Sequence, residues 1–101
     1  MITEALTKVV DGQNLDQIAA AKLMDAILEE KMTPAQFGAF VTALRLKGET
    51  PEELAGLAAS MGRHALRVQI QSDNLLDTCG TGGGKTRWLG ISTSAALVAA
   101  G

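Results

Sequence analysis

Aromatic residues are scarce in this chain: two Phe, one Trp and no Tyr make up 3% of 101 residues. With an apolar share of 47%, the core must therefore be built mostly from Ala, Leu, Val, Ile and Met. Cysteine is nearly absent as well. The single Cys79 cannot close an internal disulfide or furnish a cysteine-rich zinc site, which suits a reducing compartment. No charge of one sign dominates. A net charge of -2 gives no electrostatic case for nucleic acid or for an anionic membrane surface. No apolar run approaches the roughly 20 residues a spanning helix needs. Met1-Ile2-Thr3-Glu4 has no basic stretch leading into an apolar one, so it does not read as a signal peptide. The expectation is a small soluble protein of the cytoplasm, with no nucleic-acid or membrane partner.

What is present begins with helical periodicity. Ile2, Ala5, Leu6, Val9 and Val10 recur at helical spacing until Asp11-Gly12 stops them. Asn14 and Gln17 offer a cap for a second helix, whose apolar face runs from Ile18 through Leu23 and Ile27 and ends near Lys31. Thr33-Pro34-Ala35-Gln36 carries three start signals: a capping threonine, proline in the first turn, and Gln three residues on. The helix it opens bears Phe37, Phe40, Val41 and Leu44, and Gly48 is placed to end it. Thr50-Pro51-Glu52-Glu53 repeats the start signature, and Leu54, Leu57, Ala58 and Met61 follow before a fade around His64 to Leu66. Glu29-Glu30 and Glu52-Glu53 read as solvated helix positions. His64, near a helix C-terminus, reads as a surface residue compatible with the helix dipole.

The pattern then changes. Val68-Gln69-Ile70-Gln71 alternates weakly and Ser72-Asp73-Asn74 is a turn cluster, so residues 67–74 read as a linker after a helical domain at 1–66. Residues 75–101 read as a new unit. Leu75-Leu76 is strand-like, Gly80, Gly82, Gly83 and Gly84 crowd the next stretch, and Ile91 to Ala100 opens as a buried helix. Glycine lets a ligand approach backbone amides closely, and the first turn of a helix offers unpaired N–H groups to an anion. Strand, glycine-rich turn and hydroxyl-rich helix start together describe a phosphate cradle. The fold class expected is mainly α: a four-helix unit followed by the first strand, phosphate loop and helix of an α/β domain. Because a lone strand has no parallel partner here, either the chain is a fragment of a longer protein, which is the favoured expectation, or its strand pairs with another molecule.

Two general phosphate motifs fit poorly. The P-loop pattern is satisfied at Gly84-Lys85-Thr86, but its leading glycine is Cys79, and Arg87-Trp88-Leu89-Gly90 separates the lysine from the helix. The dinucleotide fingerprint fails after Gly80-Thr81-Gly82, where Lys85 stands in place of the third glycine.

A family fits better. Asp77-x-x-Gly80-Thr81-Gly82-Gly83, followed by Ile91-Ser92-Thr93, resembles the phosphate-binding segment of the anthranilate phosphoribosyltransferases. The run from Phe37-Gly38 through Lys47-Gly48-Glu49-Thr50-Pro51 to Leu54 is similar to the third and fourth helices of that family's N-terminal domain. The related pyrimidine nucleoside phosphorylases share the architecture, but their glycine segment usually reads Ser-Thr-Gly-Gly. The resemblance implies transfer of phosphoribosyl from phosphoribosyl pyrophosphate (PRPP) to anthranilate in tryptophan biosynthesis, with Mg2+ and a homodimer formed through the N-terminal helices. It further implies that Gly80, Thr81, Gly82, Gly83, Ser92 and Thr93 hold PRPP, and that Ser92 ligates magnesium. Where the family continues Asp-Gly, this chain has Gly84-Lys85. The family's asparagine before Ile-Ser-Thr is Gly90, and its Thr-Phe pair is Trp88-Leu89. Lys85 and Arg87 could bring new positive charge to phosphate in compensation. The family's later lysine, magnesium-binding acidic pair and anthranilate-binding arginine have no counterpart in these residues, so no catalytic residue is assigned and the chain by itself is expected to be inactive.

Plainer readings stand beside these. The glycine run could be a strand-to-helix turn without a ligand, Ser92 and Thr93 could cap the last helix, and Cys79 could be a small loop residue. Trp88 could stack on a ligand, bury against the helices or mark a protein contact. The competing function class is a helical association module whose Ala- and Leu-rich faces pair with another copy.

Overall fold

The computed structural model of the chain describes residues 1–80 and 90–101. Five helices are present among them: α1 (Ile2–Val10), α2 (Gln17–Leu28), α3 (Pro34–Lys47), α4 (Pro51–His64) and α5 (Ile91–Ala100). The chain divides into two compact units, Met1–Arg67 and Val68–Gly101.

Local chemistry accounts for most helix ends of the first unit. Thr33 and Thr50 each form a full capping box, with the threonine hydroxyl accepting from the N–H three residues on and Gln36 or Glu53 reaching back to the cap N–H. The α2 cap is Asp16, whose Oδ1 accepts from Ala19 N–H at 2.7 Å. The expected cap at Asn14 or Gln17 is thus displaced, because Asn14 is engaged elsewhere. Helix α1 ends in two backbone bonds, Gly12 N–H to Val9 O at 3.0 Å and Gln13 N–H to Lys8 O at 2.8 Å, with Gly12 at φ 77°. Helix α2 ends in the same way, with Glu30 N–H to Ile27 O at 3.1 Å and Lys31 N–H to Ala26 O at 2.9 Å. There the left-handed residue is Glu30, at φ 58°. No glycine announces that stop, and the helix closes three residues before the Lys31 limit read from periodicity.

Helices α2 and α4 are the main pair, α1 packs on α3, and α1 touches α2 more lightly. Val9, Leu15, Ala20, Leu23 and Phe40 form the buried core, flanked by Ile2, Leu6, Ile27, Leu44 and Leu57. Burying a side chain the size of Phe40 or Leu23 contributes about 1.5–3 kcal/mol. The α2–α4 contact is close enough to require glycine. A Cβ at Gly56 would stand 2.2 Å from Gln17 O and 2.9 Å from Ala20 Cβ.

The second unit differs from expectation in two ways. Among its described residues there is no strand, and Leu75-Leu76 run as irregular, exposed chain. A strand is a hydrogen-bonded ladder, and among the described residues no second segment pairs with this one. Helix α5, expected to be buried, is exposed along its length, with Val98 at 82%. Its apolar residues find no core among the described residues of this unit. No described helix is long and apolar enough to cross a membrane.

Candidate phosphate-binding site

The described part of the expected cradle consists of Asp77 to Gly80 and the start of α5. Asp77 Oδ1 accepts from Cys79 N–H at 2.8 Å, a local turn that shapes the approach to Gly80. A Cβ at Gly80 would meet nothing within 4 Å, so the backbone there is open to a ligand among the described residues. Cys79 is exposed, and its Sγ lies 3.4 Å from Gly80 O. Thr81, Gly82, Gly83 and Lys85, expected to hold phosphate, lie outside the described residues, as does Trp88.

At the other side Gly90 is the N-cap of α5, left-handed at φ 74° and ψ 11°, and no side-chain hydrogen bond caps the helix. The plain reading of Ser92 and Thr93 as its caps is therefore not what the chain adopts: they occupy the second and third helical positions. The first intrahelical bond runs from Ser94 N–H to Gly90 O at 2.9 Å. The N–H groups of Ile91, Ser92 and Thr93 precede it and point out of the helix end, where the positive end of the peptide dipoles lies. No acidic residue stands in the first turn to compete for them. Two hydroxyls, three amide donors and a glycine cap in one turn can bind an anion. Among the described residues no cluster of three or more His, Cys, Asp or Glu could hold a metal ion. The Ser92 hydroxyl remains a hard oxygen donor of the kind magnesium takes, and that ion commonly keeps water and substrate phosphate for its other positions.

The helical unit contains two polar networks that the sequence did not announce. Glu53, expected to be solvated, is 1% exposed. Its Oε1 accepts from Leu15 N–H at 2.9 Å, and its Oε2 accepts from Thr50 N–H and from Lys47 Nζ, each at 2.9 Å. Lys47 Nζ also donates to Asn14 Oδ1 at 2.9 Å and Gly48 O at 2.8 Å, so all its protons are used. Burial pushes the Glu53 carboxyl up, but the Leu15 N–H, the Lys47 ammonium and the Thr50 N–H outweigh it and hold it below the usual range.

The second network clasps α2 to α4. Ser60 Oγ, fully buried, donates to Asp25 Oδ1 at 2.5 Å, and Arg63 Nη2 donates to the two Asp25 oxygens at 2.9 and 3.2 Å. The Ser60 bond, against a smaller desolvation effect and with help from Arg63 and His64, holds the Asp25 carboxyl below its ordinary value. His64 Nδ1 lies 2.9 Å from Ser60 O, and its Nε2 lies 3.6 Å from Glu29 Oε1. The only advance sign of the first network was the capping box, which predicts the Thr50 bond alone.

Residues 3–65 match the model of the glycosyl transferase family, helical bundle domain. The chain is 50% identical over 101 residues to an anthranilate phosphoribosyltransferase of Anaeromyxobacter sp. (strain K), covering 100% of this chain and 30% of that one. It is 50% identical over 103 residues to the enzyme of that name in Methanosphaerula palustris, with the same coverage. With that of Acetivibrio thermocellus the identity is 47% over 100 residues, covering 99% of this chain and 29% of the relative. The chain thus spans about 30% of the length of these curated relatives. No solved structure matches it.

Proposed function

Because the chain belongs to the glycosyl transferase family through its helical bundle domain, we propose that it is the first part of an anthranilate phosphoribosyltransferase, carrying half of a PRPP site. Residues 1–66 are the helical domain, 67–74 the link, and 75–101 the start of an α/β domain with its phosphate loop and helix, in which Leu75-Leu76 would become a strand only on pairing with a strand from the rest of that domain. The single observation that carries this reading is the start of α5, where the N-cap Gly90 leaves the first-turn N–H groups beside Ser92 and Thr93 without a side-chain hydrogen bond.

The reaction asks little covalent help of a protein. The anthranilate amine attacks the anomeric carbon of PRPP, the bond to the pyrophosphate oxygen breaks, and the amine gives up a proton. Stabilising charge on the departing pyrophosphate and orienting the two reactants supply most of the acceleration. In this chain the amides from Gly80 to Gly83, the α5 first turn and the Ser92 and Thr93 hydroxyls bind the phosphates, with Lys85 adding charge. Mg2+ carried with PRPP would be held by Ser92 and would neutralise charge on the leaving group. The acceptor half of the site belongs to the portion the relatives have in addition. A homodimer through the helical unit accompanies this reading. Its support is a groove of about 640 Å³ between α1 and α3, lined by Gly38, Ala39 and Thr42 together with the exposed Val10 and Leu46. The cytoplasm is where such biosynthetic chemistry would take place.

Calorimetric titration of the chain with PRPP and magnesium tests the proposal. Saturable, magnesium-dependent binding is expected, weakened about tenfold or more by Ser92→Ala, the cost of one charge-assisted hydrogen bond. Absence of binding up to millimolar ligand would leave a helical association module.

A further inference from the structure

The helix order of the first unit is unusual for its loop lengths. Helices joined by short connections normally become antiparallel neighbours. Helices α3 and α4 are joined only by Gly48, Glu49 and Thr50, yet α4 takes α2 as its main partner and α3 takes α1. The close approach of Gly56 to Ala20 and the bonds of Ser60 and Arg63 to Asp25 hold α2 against α4 once the two meet, but the apolar surface of α3 does not by itself fix its partner. Helix α3 carries apolar residues around its circumference: Phe40 is buried, while Phe37, Val41 and Leu46 are exposed. Helix α2 buries mainly small residues, Ala20 and Ala26 with Leu23. An apolar surface like that of α3 packs acceptably in more than one arrangement.

The Lys47–Glu53 pair is not permissive in this way. It sits at the α3–α4 corner, 5% and 1% exposed, and part of its hydrogen bonding is local: Lys47 to Gly48 O, and Glu53 to Thr50 N–H. The remainder comes from the α1–α2 connection, where Asn14 Oδ1 accepts from Lys47 and Leu15 N–H donates to Glu53. We propose that this buried pair selects the helix order of the bundle, because only the packing that brings Asn14 and Leu15 to the α3–α4 corner satisfies both charges. Any arrangement that buries the corner without them leaves a charged group short of partners, which is a heavy penalty in a low-dielectric interior. Gly48, at φ 86°, turns the chain so that α4 leaves α3 and reaches α2. The pair is thus a specificity device, at some cost to the stability an apolar corner would give.

The test replaces both charges with apolar groups of similar length, K47M/E53M, in a C79S background carrying pairs of spin labels. One pair, at Lys22 and Ala59, spans the α2–α4 groove, and the other, at Val10 and Thr42, spans the α1–α3 groove. The parent should give one narrow distance for each pair. The double variant should remain helical but lose the single distance, with a second population for both pairs and doubled or broadened amide resonances. A double variant with the parent's single distances would overturn the proposal, since the order would then be set without the pair. A double variant without helix would overturn it too, because the pair would then supply stability and not selection.

Discussion

Glu53→Gln is the substitution whose cost the structure specifies most fully. The carboxylate is 1% exposed and receives three donors, Leu15 N–H and Thr50 N–H among them, with Lys47 Nζ the third. A carboxamide offers one oxygen and one NH2. Its better orientation keeps the oxygen towards Thr50 and Lys47 and turns the NH2 to Leu15 N–H, donor against donor. One buried amide then loses its partner, at about 1–3 kcal/mol. Lys47, with only 5% of its side chain exposed, loses its counter-charge as well. Removing one member of a buried ion pair typically costs about 3–5 kcal/mol in total. Small domains have roughly 5–15 kcal/mol to lose, so the variant should be near the edge of folding. Urea unfolding followed by circular dichroism measures the difference. Glu52→Gln, at the exposed neighbouring position, is the control and should stay within about 0.5 kcal/mol of the parent. A loss below about 1 kcal/mol for Glu53→Gln would refute the reasoning, since it would mean that the corner admits water or that Lys47 finds another partner.

Other outcomes follow from the same geometry. Gly56→Ala should lose about 1–3 kcal/mol or more, because its Cβ would meet Gln17 O at 2.2 Å, while Gly62→Ala, with nothing within 4 Å, should gain about 1 kcal/mol from helix propensity; equal effects in thermal melts would disprove the close approach. Glu30→Gly should raise stability by about 1 kcal/mol by relieving the left-handed backbone at φ 58°, and a loss in the same melts would contradict that conformation. Glu53 and Asp25 are both held below their ordinary carboxyl values, so their contribution is intact above the unfolded value of about 4 and is lost as pH falls through the lower folded values. The melting temperature should therefore hold from neutral pH to about 5 and fall below about 4, and the fall should be shallower in Glu53→Gln; identical slopes would remove Glu53 from the explanation.

What could be read in advance was what neighbouring residues decide. Thr33-Pro34-Ala35-Gln36 and Thr50-Pro51-Glu52-Glu53 state their capping boxes within four residues, and Asp11-Gly12 states the end of α1. The burial of Glu53 depends on an amide 38 residues away, at Leu15, and no local pattern contains it. Asn14 looked like a cap because Asn often is one, yet the long-range demand of Lys47 claims its oxygen and leaves Asp16 to cap α2. Helix α2 ends at Leu28, short of its periodic pattern, because Glu30 takes a conformation usually announced by glycine. At the candidate site, hydroxyls at Ser92 and Thr93 beside Gly90 were visible as residue types, but the choice of Gly90 as cap, with no side-chain bond, was not. A strand at Leu75-Leu76 needs a partner ladder, which no description of one segment can supply.

The most direct test of the phosphate-binding proposal is residue-specific: amide chemical shifts of the 15N-labelled chain as pyrophosphate and magnesium are added. Binding at the α5 start predicts shifts that saturate together at Gly80 and from Ile91 to Ser94, with α1 to α4 unmoved. Saturation without movement at those amides, or movement centred on Lys47 or Arg63, would contradict it.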